Sequence, residues 1–174
     1  MTVIDGGPVI VAGGGIGGLT TALSLHEAVI DVEVHESVER IGALGVGINL
    51  LPHAVRELDA LGLLATLEAE SVAPATLAYF TKRGEPIWDE PRGRAAGYAW
   101  PQLSIHRGTL QRILLDAALE RLGPDRIHTG RHFVGVDHDD RGVVARFTTR
   151  GDGATTSVAG SLLVAADGIH SVMR

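Results

Sequence analysis

Three glycines near the amino terminus have the spacing that most clearly suggests a chemical role. Gly13, Gly15 and Gly18 form the pattern G-x-G-x-x-G, in which the first glycine permits a tight turn off a strand. The second lets the backbone approach a pyrophosphate, and the third lets the following helix lie close to the sheet. That helix, opened by Ile16 and Gly17, would direct unpaired N–H groups and its positive dipole end at the phosphate oxygens. We therefore predict a nucleotide-binding turn at these five positions.

The segments on either side of this turn fit a strand–turn–helix unit. Val9–Ala12 is a short apolar run typical of a buried parallel strand. The apolar residues after the glycines recur at helical spacing: Leu19, Ala22, Leu23 and Leu25. A second strand over 32–35 ends at Glu36, whose carboxylate would accept hydrogen bonds from the hydroxyls of an adenosine ribose. The alternative is a glycine-rich turn that holds no ligand.

Composition limits the classes of function. The 174 residues are 45% hydrophobic and 21% charged, which suits one globular domain with a core. The net charge of -6, the lack of a Lys or Arg block, and the presence of only two Trp, two Tyr and three Phe disfavour nucleic acid as a partner. The absence of cysteine excludes disulfides, thiolate metal sites and cysteine nucleophiles. We expect a cytoplasmic protein.

One uncharged stretch raises the question of a membrane segment or a signal peptide. Residues 8–25 carry no charged side chain, but five glycines in the middle of the stretch make a poor spanning helix. Asp5 stands where a signal peptide would be basic. We therefore predict no membrane association.

The segment after Glu36 is rich in small residues and has neither helical nor strand periodicity. It runs over 37–51 and contains Ile-Gly-Ala-Leu-Gly-Val-Gly-Ile-Asn at 41–49. Because long apolar loops are usually functional, we predict that this one covers a ligand. The alternative is a hydrophobic crossover that another part of the protein buries.

The remaining chain alternates predicted helices and strands. In order, we predict a helix over 52–62, a hairpin with strands at 77–81 and 86–88, an irregular stretch over 89–102, a helix over 109–122, a meander with strands at 133–137, 143–148 and 156–159, and an apolar strand over 162–166. Arg107 stands just before the second helix. Because a cation is mildly unfavourable at a helix start, we predict that Arg107 faces an anionic or hydrogen-bonding group. The alternative is an ordinary solvated arginine.

Metal and hydrolytic chemistry are disfavoured. The acidic cluster beginning at Asp137 partly resembles a calcium loop, but Arg141 would occupy a ligand position and Thr148 stands where a glutamate is needed. An Asp, a His and a Ser within 167–171 are too close in sequence to converge as a catalytic triad. The eight histidines show no ligand spacing with suitable neighbours, so we predict no metal site.

Four motifs together make the chain resemble the class A flavin-dependent aromatic monooxygenases. They are the glycine fingerprint with Glu36, Leu-Gly-Val-Gly-Ile-Asn at 44–49, Ser-Ile-His-Arg-Gly-x-Leu-Gln at 104–111, and Val-Ala-Ala-Asp-Gly-Ile-His-Ser at 164–171. The segments at 88–93, 96–97, 101–102 and 105–108 look most like the phenazine-modifying branch, 5-methylphenazine-1-carboxylate 1-monooxygenase. The resemblance covers the whole chain but only about the first half of such an enzyme.

The resemblance implies an α/β fold. The expected architecture is an FAD/NAD(P)-binding Rossmann-like domain of the glutathione-reductase type, with three layers, a β-meander and the beginning of a substrate-domain sheet. Residues 1–174 would be an incomplete FAD-binding domain, and 71–103 would be a substrate-domain insertion.

The resemblance also implies FAD as cofactor and NAD(P)H as reductant. The contacts it implies are Glu36 on the adenosine ribose, Arg107 at the FAD phosphate or ribityl region, Val46 and Gly47 beside the isoalloxazine, Asp167 and Gly168 at FAD and in NAD(P)H handling, and the main chain of Phe133 at adenine. The implied reaction uses O2 to hydroxylate an electron-rich aromatic ring, in the closest relatives with loss of a carboxylate. Because the flavin carries this chemistry, we nominate no catalytic acid or base.

The chain departs from the family where it stops. Arg174 falls where a helix should begin, and the family's later Gly-Asp motif, most of its substrate-binding sheet and its C-terminal helices would follow. From this we expect a truncated enzyme that is inactive without the missing C-terminal half. The rival hypothesis is a binding module for NAD or FAD without oxygen chemistry, which would need neither the loop at 44–49 nor Asp167-Gly168.

Overall fold

The computed structural model describes residues 7–42, 45–169, 171 and 173. The chain divides into two compact units, the first formed by Met1–Gly42 with Leu114–Arg174 and the second by Ala43–Ile113. Within the described ranges, the helices are all too short or too polar to cross a bilayer.

Strands and helices alternate along the chain. The strands are β1 (Val9–Ala12), β2 (Val32–His35), β3 (Gly47–Leu50), β4 (Thr76–Phe80), β5 (Pro86–Pro91), β6 (Leu103–His106), β7 (Ile127–His128), β8 (Arg131–Asp139), β9 (Gly142–Thr149), β10 (Thr155–Gly160) and β11 (Leu162–Ala165). The helices are α1 (Ile16–Glu27), α2 (Pro52–Ala60), α3 (Leu64–Ala69) and α4 (Arg107–Leu122), with short 3-10 turns at Gly93–Ala96 and Pro124–Arg126.

A four-stranded parallel sheet forms the centre of the first unit. Its order is β11-β1-β2-β7, so β1 pairs in parallel with β11 on one side and β2 on the other. All four residues of β1 are apolar and at most 2% exposed, as expected for a strand that is covered on both faces.

Alternate side chains of this sheet enter two separate cores. One core joins Val9, Val11, Val32 and Val34 to Ala22 of α1, with Leu25, Ile30 and Leu122 packed against it. The other joins Ile10 and Ala12 to Phe133, Ala145 and Phe147 of the antiparallel sheet β10-β9-β8. Helices, parallel sheet and meander therefore form three layers, which confirms the predicted α/β fold class.

Helix α1 ends in a hydrogen-bonded turn that leads into β2. The Ile30 N–H donates to the Leu25 carbonyl at 2.9 Å and the Val29 N–H to the His26 carbonyl at 2.8 Å, which is the Schellman pattern. Val29 takes a φ of 60°, a left-handed conformation that glycine normally supplies at this position.

The second unit contains two small antiparallel sheets and helices α2 and α3. Strands β3 and β6 pair with Gly47 opposite His106 and Leu50 opposite Leu103, and β4 and β5 form a hairpin whose turn contains Gly84. Pro52 is the first residue of α2, whose Val55 and Leu58 are buried.

The structure departs from the sequence predictions in its shortest elements. Residues 47–50 form β3 inside the segment predicted to be irregular. This strand forms because it pairs with β6, and its own sequence has no strand periodicity from which it could be predicted. Strand β7, helix α3 and the 3-10 turn over 93–96 were likewise not predicted. The helix predicted over 109–122 begins at Arg107, two residues earlier than expected, and the meander strands are longer than predicted. Strand β5 extends to Pro91, so the first part of the stretch over 89–102 is a strand and the prediction of an irregular stretch was wrong there. The assignment of 71–103 to a substrate domain stays a prediction.

The packing of α1 against β1 gives a first stability prediction. A Cβ at Gly18 would overlap the carbonyl oxygen of Gly13, whereas a Cβ at Gly17 would meet no atom within 4 Å. We expect Gly18→Ala to lower the free energy of unfolding by at least about 3 kcal/mol, because the helix must move off the sheet. The matched change Gly17→Ala should be neutral or stabilising by up to about 1 kcal/mol. Urea unfolding of both full-length variants tests this, and equal stabilities would contradict it.

Candidate functional site

On its inner side, the glycine turn after β1 leaves no room for a side chain. Gly13 has a φ of 115°, and a Cβ there would overlap the carbonyl oxygen of Ala166. Its N–H donates to the His35 carbonyl at 2.8 Å, which joins the turn to the end of β2. With Gly18 against the Gly13 carbonyl, the turn is enclosed on its inner side by three backbone segments.

The outer side of the same turn is open. A Cβ built at Gly15 or Gly17 would meet no atom within 4 Å. Gly15 is the N-cap of α1 and offers no side-chain cap, and the first turn of the helix contains no acidic residue. The positive end of the helix dipole therefore faces free space, which is the arrangement that favours a phosphate.

Glu36 lies against this turn from the end of β2. Its Oε2 accepts a hydrogen bond from the Gly14 N–H at 2.6 Å, and its Oε1 accepts from Ser37 Oγ and the Val38 N–H, both at 2.9 Å. These bonds fix the carboxylate beside the glycines. The sequence predicted the place of Glu36 but not its bond to Gly14, although Gly14 stands inside the fingerprint.

The end of β11 borders the glycine turn on the other side. The Ala166 N–H donates to the Ala12 carbonyl at 2.8 Å, so Asp167 follows directly beside Gly13. Gly168 has a φ of 87°, which turns the chain at this point. The structure thus brings Asp167 and Gly168 to the same end of the parallel sheet as the fingerprint and Glu36. His170 of the same motif lies outside the described residues.

Phe133 occupies β8, whose start is joined to the segment after β2. The Arg131 N–H donates to the Glu36 carbonyl at 2.8 Å, two residues before Phe133. The Phe133 side chain is 5% exposed and packs edge-on against Phe147, with ring centroids 5.8 Å apart. Its side chain therefore belongs to the core, and only its main chain is left for a ligand.

In the second unit, the structure brings Arg107 to the loop before β3. The Arg107 N–H donates to the Val46 carbonyl at 3.0 Å, and a Cβ at Gly45 would lie 3.1 Å from Arg107 Cδ. His106 Nε2 lies 2.9 Å from the Gly45 carbonyl oxygen. Val46 is 74% exposed and a Cβ at Gly47 would be in open space. Ala43 and Leu44 of this loop lie outside the described residues.

A cluster of Glu33, His35 and His128 beside the parallel sheet was not predicted. Their ligand-type atoms lie within 4.8 Å of one another, yet the two imidazole rings are stacked with centroids 4.5 Å apart. Stacked rings direct their in-plane lone pairs side by side, which does not suit a tetrahedral metal site. Glu33 also pairs with Arg126 at 2.8 Å. The arrangement fits a packed polar network, and spacing in one sequence gives no signal for it.

His35 is the one strongly perturbed titratable group of this network. It is 3% exposed, stacks on Phe147 at 4.3 Å, and lies 3.6 Å from the Glu33 carboxylate. Burial lowers the pKa of His35 from 6.5 to about 3, and the positive charges of His128 and Arg131 act in the same direction. The imidazole is therefore neutral in the folded protein at neutral pH.

Comparison with known proteins agrees with this geometry. The family model described as FAD binding domain matches residues 7–174. Phenazine 1,6-dicarboxylic acid hydroxylase PhzS of Lysobacter antibioticus is 46% identical over 100% of this chain and 43% of its own length. The 3-amino-4-hydroxybenzoate 2-monooxygenase of Streptomyces cremeus is 36% identical over 95% of this chain and 41% of its own length.

Solved structures show the same likeness. Klebsiella pneumoniae HpxO complexed with FAD and uric acid is 29% identical, with a TM-score of 0.78 over 96% of this chain and 40% of that one. The p-nitrophenol 4-monooxygenase PnpA of Pseudomonas putida is 24% identical with a TM-score of 0.86, which shows a shared fold. The chain spans less than half the length of these relatives.

The depressed pKa of His35 gives a pH prediction. In the unfolded chain His35 is protonated near pH 6.5, whereas in the folded protein it is protonated only near pH 3. The free energy of unfolding therefore falls as the pH drops through this range. We expect the full-length protein to lose about 2 kcal/mol from this group between pH 6.5 and 5. His35→Leu should remove that loss, whereas the exposed control His26→Leu should keep it. Urea unfolding at several pH values measures this, and equal slopes for the two variants would contradict it.

Proposed function

This chain belongs to the FAD binding domain family, and we propose that its first unit holds the adenosine diphosphate half of FAD. The observation that carries the proposal is the glycine turn, which is closed on its inner side by backbone and open at Gly15. The uncapped, acid-free start of α1 faces the same space. A diphosphate fits this cradle, because Gly15, Ile16, Gly17 and Gly18 can offer main-chain N–H groups without a side chain in the way, while Gly13 shapes the turn.

We propose that Glu36 binds the adenosine ribose. Its Oε1 accepts from Ser37 and Val38, whereas its Oε2 accepts only from Gly14, so Oε2 keeps one further lone-pair direction for a ribose hydroxyl. The carboxylate is held in place before any ligand arrives, so little conformational entropy is lost on binding. The main chain of Phe133 is proposed to face the adenine.

For the second unit, we propose that Arg107 contacts the phosphate or ribityl part of FAD. Val46 and Gly47 would lie beside the isoalloxazine, since both are open to solvent in the described unit. Arg107 is fixed through its own N–H and its stem against Gly45. In the first unit, Asp167 and Gly168 would contact FAD and take part in NAD(P)H handling.

We further propose that the full-length protein is a flavin-dependent monooxygenase of an aromatic substrate. Relatives with hydroxylase and monooxygenase names support this class. When bound, FAD would supply the redox chemistry between NAD(P)H, O2 and the substrate. The described residues would bind and orient it, and sequence corresponding to the rest of these relatives would complete the substrate site. A phenazine carboxylate is the favoured substrate class, because PhzS is the relative with 46% identity.

The role of Glu36 gives a binding prediction. Glu36→Gln keeps the shape but loses charge-assisted bonds worth about 1.5 to 3 kcal/mol each. We expect the FAD dissociation constant of the full-length protein to rise about 10- to 100-fold. The exposed control Glu39→Gln should bind FAD like the wild type. Titration of deflavinated protein by flavin fluorescence measures this, and unchanged affinity in the Glu36 variant would refute the ribose contact.

The proposed activity is tested directly on the full-length protein. We expect a yellow protein that oxidises NADH or NADPH faster when an aromatic acid is added. Phenazine-1-carboxylate, phenazine-1,6-dicarboxylate and 3-hydroxybenzoate form a suitable panel. One oxygen atom from 18O2 should enter the product, as read by mass spectrometry. A colourless protein that NADH protects against heat would instead indicate a binding module without oxygen chemistry.

A further inference from the structure

Both ring nitrogens of His106 take part in hydrogen bonds, although the FAD contacts proposed above use only its neighbour Arg107. The Gly108 N–H donates to Nδ1 at 3.2 Å, and Nε2 lies 2.9 Å from the Gly45 carbonyl oxygen. A carbonyl oxygen only accepts hydrogen bonds, and an Nδ1 that accepts one carries no hydrogen. The tautomer that fits both contacts therefore has its hydrogen on Nε2, and the Nε2–H donates to Gly45.

The bond to Nδ1 caps helix α4. His106 is the residue before Arg107, where α4 begins, so Gly108 is the second residue of the helix. An N-cap side chain that accepts from one of the first backbone N–H groups satisfies a donor that the helix itself leaves unpaired. Because Nδ1 is used in this cap, Nε2 is the nitrogen that remains for the loop before β3.

The bond from Nε2 holds that loop. The Gly45 carbonyl accepts from His106, and the Val46 carbonyl accepts from the Arg107 N–H at 3.0 Å. Two consecutive carbonyls of the loop are thus bonded to two consecutive residues where β6 meets α4. Gly45 also has a φ of 123°, and a Cβ on it would lie 3.1 Å from Arg107 Cδ. The loop backbone therefore lies directly against the stem of Arg107.

The pairing of β3 with β6 places His106 on the open face of this sheet. Leu103 and Ile105 of β6 are at most 3% exposed. Ser104 and His106 alternate with them along the strand and so belong to the opposite face. His106 stands opposite Gly47. The imidazole is therefore on the same side of the sheet as the residue beside which the isoalloxazine is proposed to lie.

We propose that His106 is a positioning residue of the flavin site, which holds the loop 45–47 at the stem of Arg107 through its Nε2–H while its Nδ1 caps α4. This inference rests on the proposed function, in which Val46, Gly47 and Arg107 contact FAD. His106 acts through the loop and takes no part in the chemistry. A loop that is held before FAD arrives loses less conformational entropy on binding, and the bound flavin meets one fixed environment.

Two substitutions separate the two bonds. His106→Asn keeps an acceptor near the position of Nδ1 and retains the cap, but it is too short to reach Gly45 as well. His106→Gln keeps a donor near the position of Nε2 and loses the cap. Hydrogen exchange of the full-length protein, read at single amides by mass spectrometry, distinguishes them. We expect the Arg107 N–H to exchange about three- to tenfold faster in His106→Asn, and the Gly108 N–H in His106→Gln, each with the other amide at the wild-type rate.

The bound flavin gives a second readout. We expect His106→Asn to raise the FAD dissociation constant about three- to tenfold and to change the visible circular dichroism of the bound flavin. His106→Gln should match the wild type in both. Ser104→Ala is the matched control, because it removes the bond from Ser104 Oγ to Asn49 Oδ1 at 2.6 Å on the same face of the sheet. It should leave both amides and the flavin signal unchanged.

The outcomes separate this proposal from the proposed function. The role of His106 is overturned if His106→Asn leaves the exchange of the Arg107 N–H unchanged, or if it speeds that exchange while the flavin affinity and spectrum stay at wild-type values. It is also overturned if His106→Gln fails to restore the Arg107 N–H and the flavin signal. A wild-type full-length protein that binds no FAD overturns the proposed function, and the flavin role of His106 with it.

Discussion

The close contact between helix α1 and the turn after β1 is the constraint on which the first unit depends. Gly18 lies so near the Gly13 carbonyl that no side chain fits between them, and Gly13 lies too near the Ala166 carbonyl for a side chain of its own. Residues 13–18 and residue 166, which are far apart in the chain, are thereby fixed to one another through backbone. The open side of the turn is then left at Gly15, where α1 begins without a cap. The proposed phosphate site would therefore result from the packing of backbone at this turn.

Glu36 extends this constraint to the neighbouring strand. Because its carboxylate accepts a hydrogen bond from the Gly14 N–H, the distance between the glycine turn and this carboxylate is set by the fold. The same strand carries Glu33 and His35 into a polar network with His128 and Arg126. Strand β2 is thus fixed on both sides, and its end is a rigid platform for a ligand.

The sequence predicted the first unit better than the second, and the reasons are physical. The glycine fingerprint, β1, α1, β2 and Glu36 are local in sequence, so spacing and periodicity were enough to predict them. Strand β3 is four residues long and exists because β6 pairs with it, and β7 has only two residues. The stacking of His35 depends on Phe147 and His128, which lie about a hundred residues later in the chain. Contacts between residues so far apart leave no periodic pattern in a single sequence.

Val29 has a strained backbone conformation in this fold. A β-branched residue in the left-handed region carries roughly 1 to 2 kcal/mol of strain, and Val29 is 63% exposed, so its side chain recovers little by packing. The turn keeps its shape because Leu25 and Ile30 pack into the core on either side of it. The position is therefore suited to stabilisation by protein engineering. A glycine there would relax the backbone and raise the melting temperature, while the glycine turn and Glu36 stay unchanged.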